Sequence, residues 1–149
     1  MLRTFPRLSA LCCLPLVVGL LALGGCFTNK QHQGERLYGQ HCAGCHGEQG
    51  QGLGQLVPPL AQADYLRQHA AELPCLVRHG LRGPIVVNGV AYNQWMLGVQ
   101  DTVTHRHLSP AQLTNLLNYI ESHWGNRPGP GGPRTIAGTE TQLRACGER

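Results

Sequence analysis

The feature that most constrains this chain is the pentapeptide Cys-Ala-Gly-Cys-His at positions 42 to 46. Two cysteines three positions apart on a helical turn can reach the two vinyl groups at one edge of a porphyrin. The residue that follows, His46, then lies under the iron and can offer it a neutral imidazole nitrogen. The motif therefore predicts one covalently attached haem c, bound through Cys42 and Cys45 with His46 as an axial ligand.

Two other uses of paired cysteines fit the sequence less well. A zinc site would need four ligands, commonly a second Cys-x-x-Cys or a histidine pair, and Cys75 and Cys146 do not form such a pair. A thioredoxin-like site would follow a parallel strand, whereas the residues before Cys42 have a helical pattern. Both alternatives are weaker than the haem interpretation.

The first 25 residues have the pattern of an export signal. Arg3 and Arg7 precede a short apolar run over residues 11–23, which is broken by Pro15 and Gly19. The segment that ends it, Leu-Gly-Gly-Cys26, resembles the lipobox of bacterial lipoproteins. That resemblance implies cleavage before Cys26, lipidation of this cysteine and a membrane anchor on the periplasmic side. An ordinary signal peptide and a retained anchor are the alternatives.

The residues around the cleavage point bear on sorting and on charge. Phe27, rather than aspartate, follows the cysteine, which by the same resemblance favours the outer membrane over the inner one. Twelve basic and eight acidic side chains give a net charge of +4. Removal of Arg3 and Arg7 leaves ten against eight, or +2, and two haem propionates would bring the protein near neutral. Charge therefore gives no indication of nucleic-acid binding.

The seven cysteines divide into groups with different expected fates. Cys12 and Cys13 leave with the signal, and three more belong to the lipid and haem sites. Cys75 and Cys146 remain. Because an exported protein lies in an oxidising compartment, we expect this pair to form a disulfide, with two separate thiols as the alternative.

The rest of the chain is mostly helical in pattern. Apolar spacing predicts a helix from Gly34 to the haem turn, short helices over residues 63–71 and 73–79, and a final helix over residues 109–125 that begins with a capping box. A strand pair is predicted over residues 85–90 with Asn88-Gly89 as its turn, and residues 92–101 are expected to be irregular. Residues 127–133 have linker composition, and the tail beyond them is short and polar.

Four further segments occur in a characteristic order along the chain. They are Gly34-x-x-x-Tyr38 before the haem turn, Pro59-Leu60, the loop over residues 88–96, and Leu116-Leu117-Asn118-Tyr119-Ile120 with Trp124-Gly125-Asn126. Together with the pentapeptide they resemble the class I c-type cytochromes. The resemblance implies a mostly α fold: a small helical domain wrapped around one covalent haem, with a short β segment before the loop that delivers the distal ligand.

This resemblance also implies contacts and boundaries. It implies that the first and last helices cross closely at Gly34, that the Pro59-Leu60 backbone supports His46, and that the domain spans residues 34–125. Residues 26–33 would then be a lipidated tether, and residues 126–149 a Gly/Pro-rich linker and tail. The side chains expected to line the haem are apolar: Val57, Leu60, Ile85, Val87 and Leu97. Arg82 or Trp95 is expected to contact a propionate.

The second axial ligand is expected to be Met96. It is the only methionine beyond Met1, and it lies in the loop that carries the ligand in the family. His105 and His107 are rival ligands. With His/Met ligation no iron position is open, so we expect a monohaem electron carrier rather than an enzyme, acting with redox protein partners such as an oxidase, reductase or dehydrogenase.

Leu97 stands where the family often has proline, which keeps a second interpretation open. In that interpretation the chain is a haem enzyme or small-ligand sensor with an open distal position. A haem subunit of a larger oxidoreductase complex would use the same chemistry as a free carrier.

Overall fold

A computed structural model of the chain describes residues 30–100, 106–129 and 131–146, apart from the side chains of residues 30–32. The predicted lipidation site Cys26 and the rival ligand His105 lie outside these residues. The described part is mostly helical, with short strands in its middle, as predicted. Its elements are α1 (Lys30–His41), α2 (Ala43–His46), α3 (Asp64–Gln68), α4 (Leu73–His79), β1 (Gly80–Leu81), β2 (Ile85–Val87), β3 (Val90–Tyr92), β4 (Met96–Leu97), α5 (Pro110–Ser122) and α6 (Ile136–Ala145).

The core is built on the predicted crossing of α1 and α5. Gly34 allows it, because a Cβ at this position would lie 2.7 Å from the Cβ of Tyr119 and would also meet the carbonyl oxygen of Asn115. Leu37 and Tyr38 on α1 are buried against the apolar stripe of α5. The buried members of that stripe are Leu113, Leu116, Leu117 and Ile120.

The N-terminal end of α5 is fixed by side-chain hydrogen bonds. The Ser109 hydroxyl accepts a hydrogen bond from the Gln112 backbone N–H at 3.3 Å, and the Gln112 side chain accepts one from the Ser109 N–H at 2.9 Å, which is the predicted capping box. The helix ends at Ser122, two residues earlier than the apolar stripe indicated. Trp124 has a positive φ of 51°, so the chain has left the helical path at this residue. The centre of its ring lies 4.8 Å from that of Tyr38.

Two short antiparallel strand pairs lie between α4 and α5. The pair β2–β3 turns at Asn88-Gly89 as predicted, with φ of 50° and 80°. The pair β1–β4 joins Leu81 to Met96 and Gly80 to Leu97. The prediction of irregular structure over residues 92–101 is therefore wrong at Tyr92, which ends β3, and at β4. Strands of two residues are too short to show alternation, and this pairing depends on a partner fifteen residues away.

The C-terminal tail forms a packed helix, α6, where the sequence indicated a short polar segment. Thr135 caps it by accepting a hydrogen bond from the Gly138 N–H at 3.1 Å. Its contact with α5 includes a buried polar pair: the Thr114 hydroxyl donates to the buried Thr139 hydroxyl at 2.8 Å. Arg134 just before it forms an ion pair of 2.7 Å with Glu121. The sequence did not predict this helix because buried polar contacts of this kind leave no apolar stripe to recognise.

One observation bears on the predicted boundaries. The chain is already helical from Lys30, within the segment expected to be a tether.

The sulfur atoms of Cys75 and Cys146 form a disulfide with Cα atoms 5.6 Å apart, which joins α4 to the end of α6. None of the helices in the described ranges combines the length and the apolar character needed to cross a membrane.

Candidate functional site

A cavity of about 480 Å³ lies between the α1–α5 pair and the α4–β4 segment. This volume falls within the range of small-molecule sites, roughly 300–1,000 Å³. Cys42, Cys45 and His46 line it, and so does Met96. Most of its lining side chains are apolar, and no Asp, Glu, Lys or Arg is among the described residues that line it. All five side chains expected around a haem line it: Val57, Leu60, Ile85, Val87 and Leu97.

The two cysteines of the pentapeptide lie on a single helical turn after α1. The N–H of Cys42 donates to the Tyr38 carbonyl at 2.8 Å, and the N–H of His46 donates to the Cys42 carbonyl at 2.9 Å. Neither Cys42 nor Cys45 is bonded to another cysteine. Burial raises the pKa of the Cys42 thiol to about 12, and the neighbouring Cys45 adds to the rise. Cys42 therefore lines the cavity as a neutral thiol, the form that is compatible with apolar surroundings.

His46 is oriented by a backbone carbonyl. Its Nδ1 lies 3.0 Å from the oxygen of Pro58, and the side chain is buried. Burial lowers the pKa of this imidazole, and the bond to Pro58 opposes the shift only in part. A neutral ring that donates from Nδ1 keeps a lone pair on Nε2, the form in which histidine binds metals. The supporting carbonyl belongs to Pro58, one residue before the predicted Pro59-Leu60 pair.

The Pro58 segment is itself held by the glycine-rich loop after His46. The N–H groups of Leu60 and Ala61 both donate to the Gly50 carbonyl at 2.8 Å. A Cβ at Gly50 would lie 2.8 Å from the Trp124 ring, so the loop packs directly on that ring. The loop, Trp124 and the carbonyl that orients His46 thus form one packed unit.

Tyr38 supports the same loop through its hydroxyl group. Its hydroxyl donates to the Gly47 carbonyl at 2.5 Å, and its ring is 3% exposed. Burial raises the pKa of Tyr38 to about 12. The signal for this bond was present in the sequence: a tyrosine one helical turn before the first haem cysteine and a glycine directly after the histidine.

Met96 reaches the cavity from β4 and is half-buried. Its strand passes so close to β1 that a Cβ at Gly80 would meet the Met96 carbonyl oxygen. Of the rival ligands, His107 is exposed, does not line the cavity, and lies with its ring 5.9 Å from that of His79. Within the described residues, Met96 is the thioether at this cavity.

Trp95 and Arg82 form a stacked pair beside Met96. The Arg82 guanidinium lies 4.4 Å from the centre of the Trp95 ring, a cation–π geometry. Trp95 lines the cavity although it is 66% exposed, so it lies at the opening. Arg82 does not line the cavity, and its expected contact with a propionate remains a prediction.

The donor set fits a covalently bound haem. Two thiols, the neutral imidazole of His46 and one thioether line the same mostly apolar cavity, and these are the groups that c-type haem attachment and ligation use. In the described ranges, no group of three or more His, Cys, Asp or Glu residues is placed to hold another metal ion. The zinc alternative therefore has no ligand set in this part of the chain.

Comparisons with known proteins agree with this chemistry. A family model described as cytochrome c matches residues 31–124. The chain is 34% identical over 114 residues to a cytochrome c-552 of Thermus thermophilus, covering 74% of this chain and 72% of that protein. It is 35% identical over 100 residues to a second cytochrome c-552 of Thermus thermophilus, covering 64% and 71% of the two chains.

Proposed function

The chain belongs to the cytochrome c family, and on this basis we propose that it transfers single electrons between redox proteins with His46 and Met96 as axial iron ligands. Family membership implies one covalently attached haem c per chain and a monohaem electron carrier. When bound, the haem supplies an iron that exchanges one electron at a time between Fe(III) and Fe(II). What this chain's own residues contribute is attachment, ligation, exclusion of water and an opening to partners.

The observation that carries the proposal is that His46 and Met96 line the same mostly apolar cavity as the two haem cysteines. Cys42 and Cys45 supply the thiols for attachment. The Pro58 carbonyl holds His46 in the tautomer that binds iron. A thioether opposite an imidazole raises the reduction potential relative to two imidazoles. With both axial positions taken by side chains, the protein moves electrons and does not bind substrate at iron.

The opening of the cavity supports a role in brief contacts with other proteins. Leu56, Trp95 and Leu97 line the cavity and are also exposed, with 54%, 66% and 81% of their surfaces accessible. Because these rim side chains are apolar, a partner can contact them without desolvating charged groups. Electron-transfer encounters use small interfaces, below about 1,200 Å². We propose that partners dock at this rim.

Spectra of the purified haem protein test the ligation. The ferric protein should show the weak band at the red end of the visible spectrum that marks a Met–iron bond. In Met96→Ala this band should disappear, the midpoint potential should fall and the ferrous form should bind carbon monoxide. Val86→Ala, a change at an exposed residue that does not line the cavity, is the control and should keep the band. His107→Ala should also keep it.

The same spectra decide between the carrier and a haem enzyme or ligand sensor. A high-spin ferric spectrum and rapid carbon monoxide binding in the wild-type protein would mean that the distal position is open. That result would refute the proposed His/Met ligation and favour the enzyme or sensor.

We further propose that the mature protein is anchored on the periplasmic side of a bacterial membrane through lipid on Cys26. Several acyl chains on one residue give stable anchoring, at about 0.8 kcal/mol per buried methylene. Cys26→Ala should move the protein from the membrane fraction to the soluble fraction, and density separation of the membranes would test the preference for the outer one. Retention of the variant in the membrane fraction would contradict the anchor.

A further inference from the structure

The strand that carries Met96 lies directly against the stretch of chain formed by α4 and β1. Met96 pairs with Leu81 of β1. Three residues later, the N–H of Val99 donates to the Val77 carbonyl of α4 at 2.8 Å. Because β1 follows α4 directly, both contacts lead back to α4. The placement of α4 therefore contributes directly to where the Met96 backbone lies.

This contact is between backbones, with no side chain between them. A Cβ at Gly98 would lie 2.5 Å from the Arg78 carbonyl oxygen and 3.0 Å from the carbonyl carbon of His79. From the opposite side, a Cβ at Gly80 would lie 2.8 Å from the Gly98 nitrogen. Backbones in such close contact cannot absorb a displacement by changing rotamers. A shift of α4 is therefore passed to the Met96 strand.

The disulfide joins α4 to the half of the molecule that carries the haem turn. Cys75 lies in α4, and Cys146 ends α6. The buried Thr114–Thr139 hydrogen bond fixes α6 on α5. Helix α5 crosses α1, which leads directly into residues 42–46. A continuous series of contacts thus connects the His46 side of the cavity with the Met96 side.

We propose that the Cys75–Cys146 disulfide is a positioning element for Met96, holding its sulfur in place for the iron. The inference rests on the His/Met ligation proposed above. A thioether is a neutral ligand with a single contact to iron, so the fraction bound depends on how far the fold holds it in position beforehand. Without the disulfide, α4 can move away from α6, and Met96 should leave the iron more often.

The test compares wild-type protein with the double variant Cys75→Ser/Cys146→Ser. In the unreduced wild-type protein, peptide mapping by mass spectrometry should find neither Cys75 nor Cys146 modified by an alkylating agent. The double variant should show a weaker Met–iron band and ferrous carbon monoxide binding that is about tenfold faster, within the range of typical coupling between sites. Alkylation of Cys75 or Cys146 in the wild type, or a double variant with unchanged band and binding rate, would overturn the inference.

Two further variants separate positioning from general stability. Gly98→Ala disturbs the contact between α4 and the Met96 strand without touching sulfur, and it should also weaken the band. Leu113→Ala removes buried apolar volume on α5, does not line the cavity, and should lower the urea midpoint yet keep the band in the folded protein. Equal acceleration of carbon monoxide binding in Leu113→Ala and in the double variant would overturn the inference, as would an unchanged band in Gly98→Ala.

The outcomes also distinguish this inference from the proposed function. A wild-type protein without the Met–iron band refutes the ligation and the inference together. A wild-type protein with the band, beside a double variant that matches it, refutes the inference alone. If the double variant does not retain haem, reduction of the disulfide in the ferrous wild-type protein with dithiothreitol gives the same comparison of binding rates.

Discussion

Replacing Gly34 by alanine tests how closely α1 and α5 must approach. Gly34 and Gly39 lie on the same helix, and each costs the helix about 1 kcal/mol relative to alanine. Their surroundings differ: a Cβ at Gly34 would lie 2.7 Å from the Cβ of Tyr119, whereas a Cβ at Gly39 would meet nothing within 4 Å. Gly39→Ala is therefore a matched control that gains the same helix propensity without the steric cost.

The expected magnitudes follow from these distances. Ordinary van der Waals contact between carbons needs about 3.5–4.0 Å, so Gly34→Ala forces the two helices apart by roughly 1 Å. Excess volume in a packed core costs about 1–3 kcal/mol. We therefore expect Gly39→Ala to stabilise the protein by about 1 kcal/mol, with Gly34→Ala less stable than Gly39→Ala by about 1–3 kcal/mol. Gly34→Leu adds three more carbons and should also weaken haem retention.

Urea unfolding of the ferric haem protein measures the difference. The three proteins should have the same slope against urea, so that a change in midpoint reports stability alone. If Gly34→Ala is as stable as Gly39→Ala, the helices do not need glycine at their crossing and the reasoning is refuted. A normal haem content and stability in Gly34→Leu would contradict it more strongly.

Two further predictions concern buried polar groups. Tyr38→Phe removes the hydroxyl that donates to Gly47 and should lower the free energy of unfolding by about 1 kcal/mol near neutral pH. The pKa of Tyr38 is raised from 10.0 to about 12 in the folded protein, so unfolded wild-type chains lose this proton first as the pH rises. Urea midpoints should therefore show the wild-type advantage shrinking as the pH rises from 10.0 towards about 12. Arg134→Ala leaves Glu121 buried without its ion-pair partner and should cost about 3–5 kcal/mol, whereas Arg144→Ala at an exposed hydrogen bond on α6 should change the urea midpoint little.

The sequence determined the parts of this protein that depend on neighbours along the chain. A haem turn needs five consecutive residues, and His46 follows from the spacing of the two cysteines before it. The capping box at Ser109 and the turn at Asn88-Gly89 each join residues that are three positions apart in the sequence. The glycine at position 34 also predicted the α1–α5 crossing, because the family resemblance supplied the partner helix.

Only the tertiary structure decided the contacts between distant segments. The carbonyl that orients His46 belongs to Pro58, and every residue has a carbonyl, so no residue type marks the right one. The β1–β4 pairing beside Met96 joins two strands of two residues each, which have no pattern of their own. Helix α6 is held through Thr139 and a disulfide, not through apolar periodicity. Backbone groups and single side chains leave little trace in sequence patterns, because their partners are chosen by the fold.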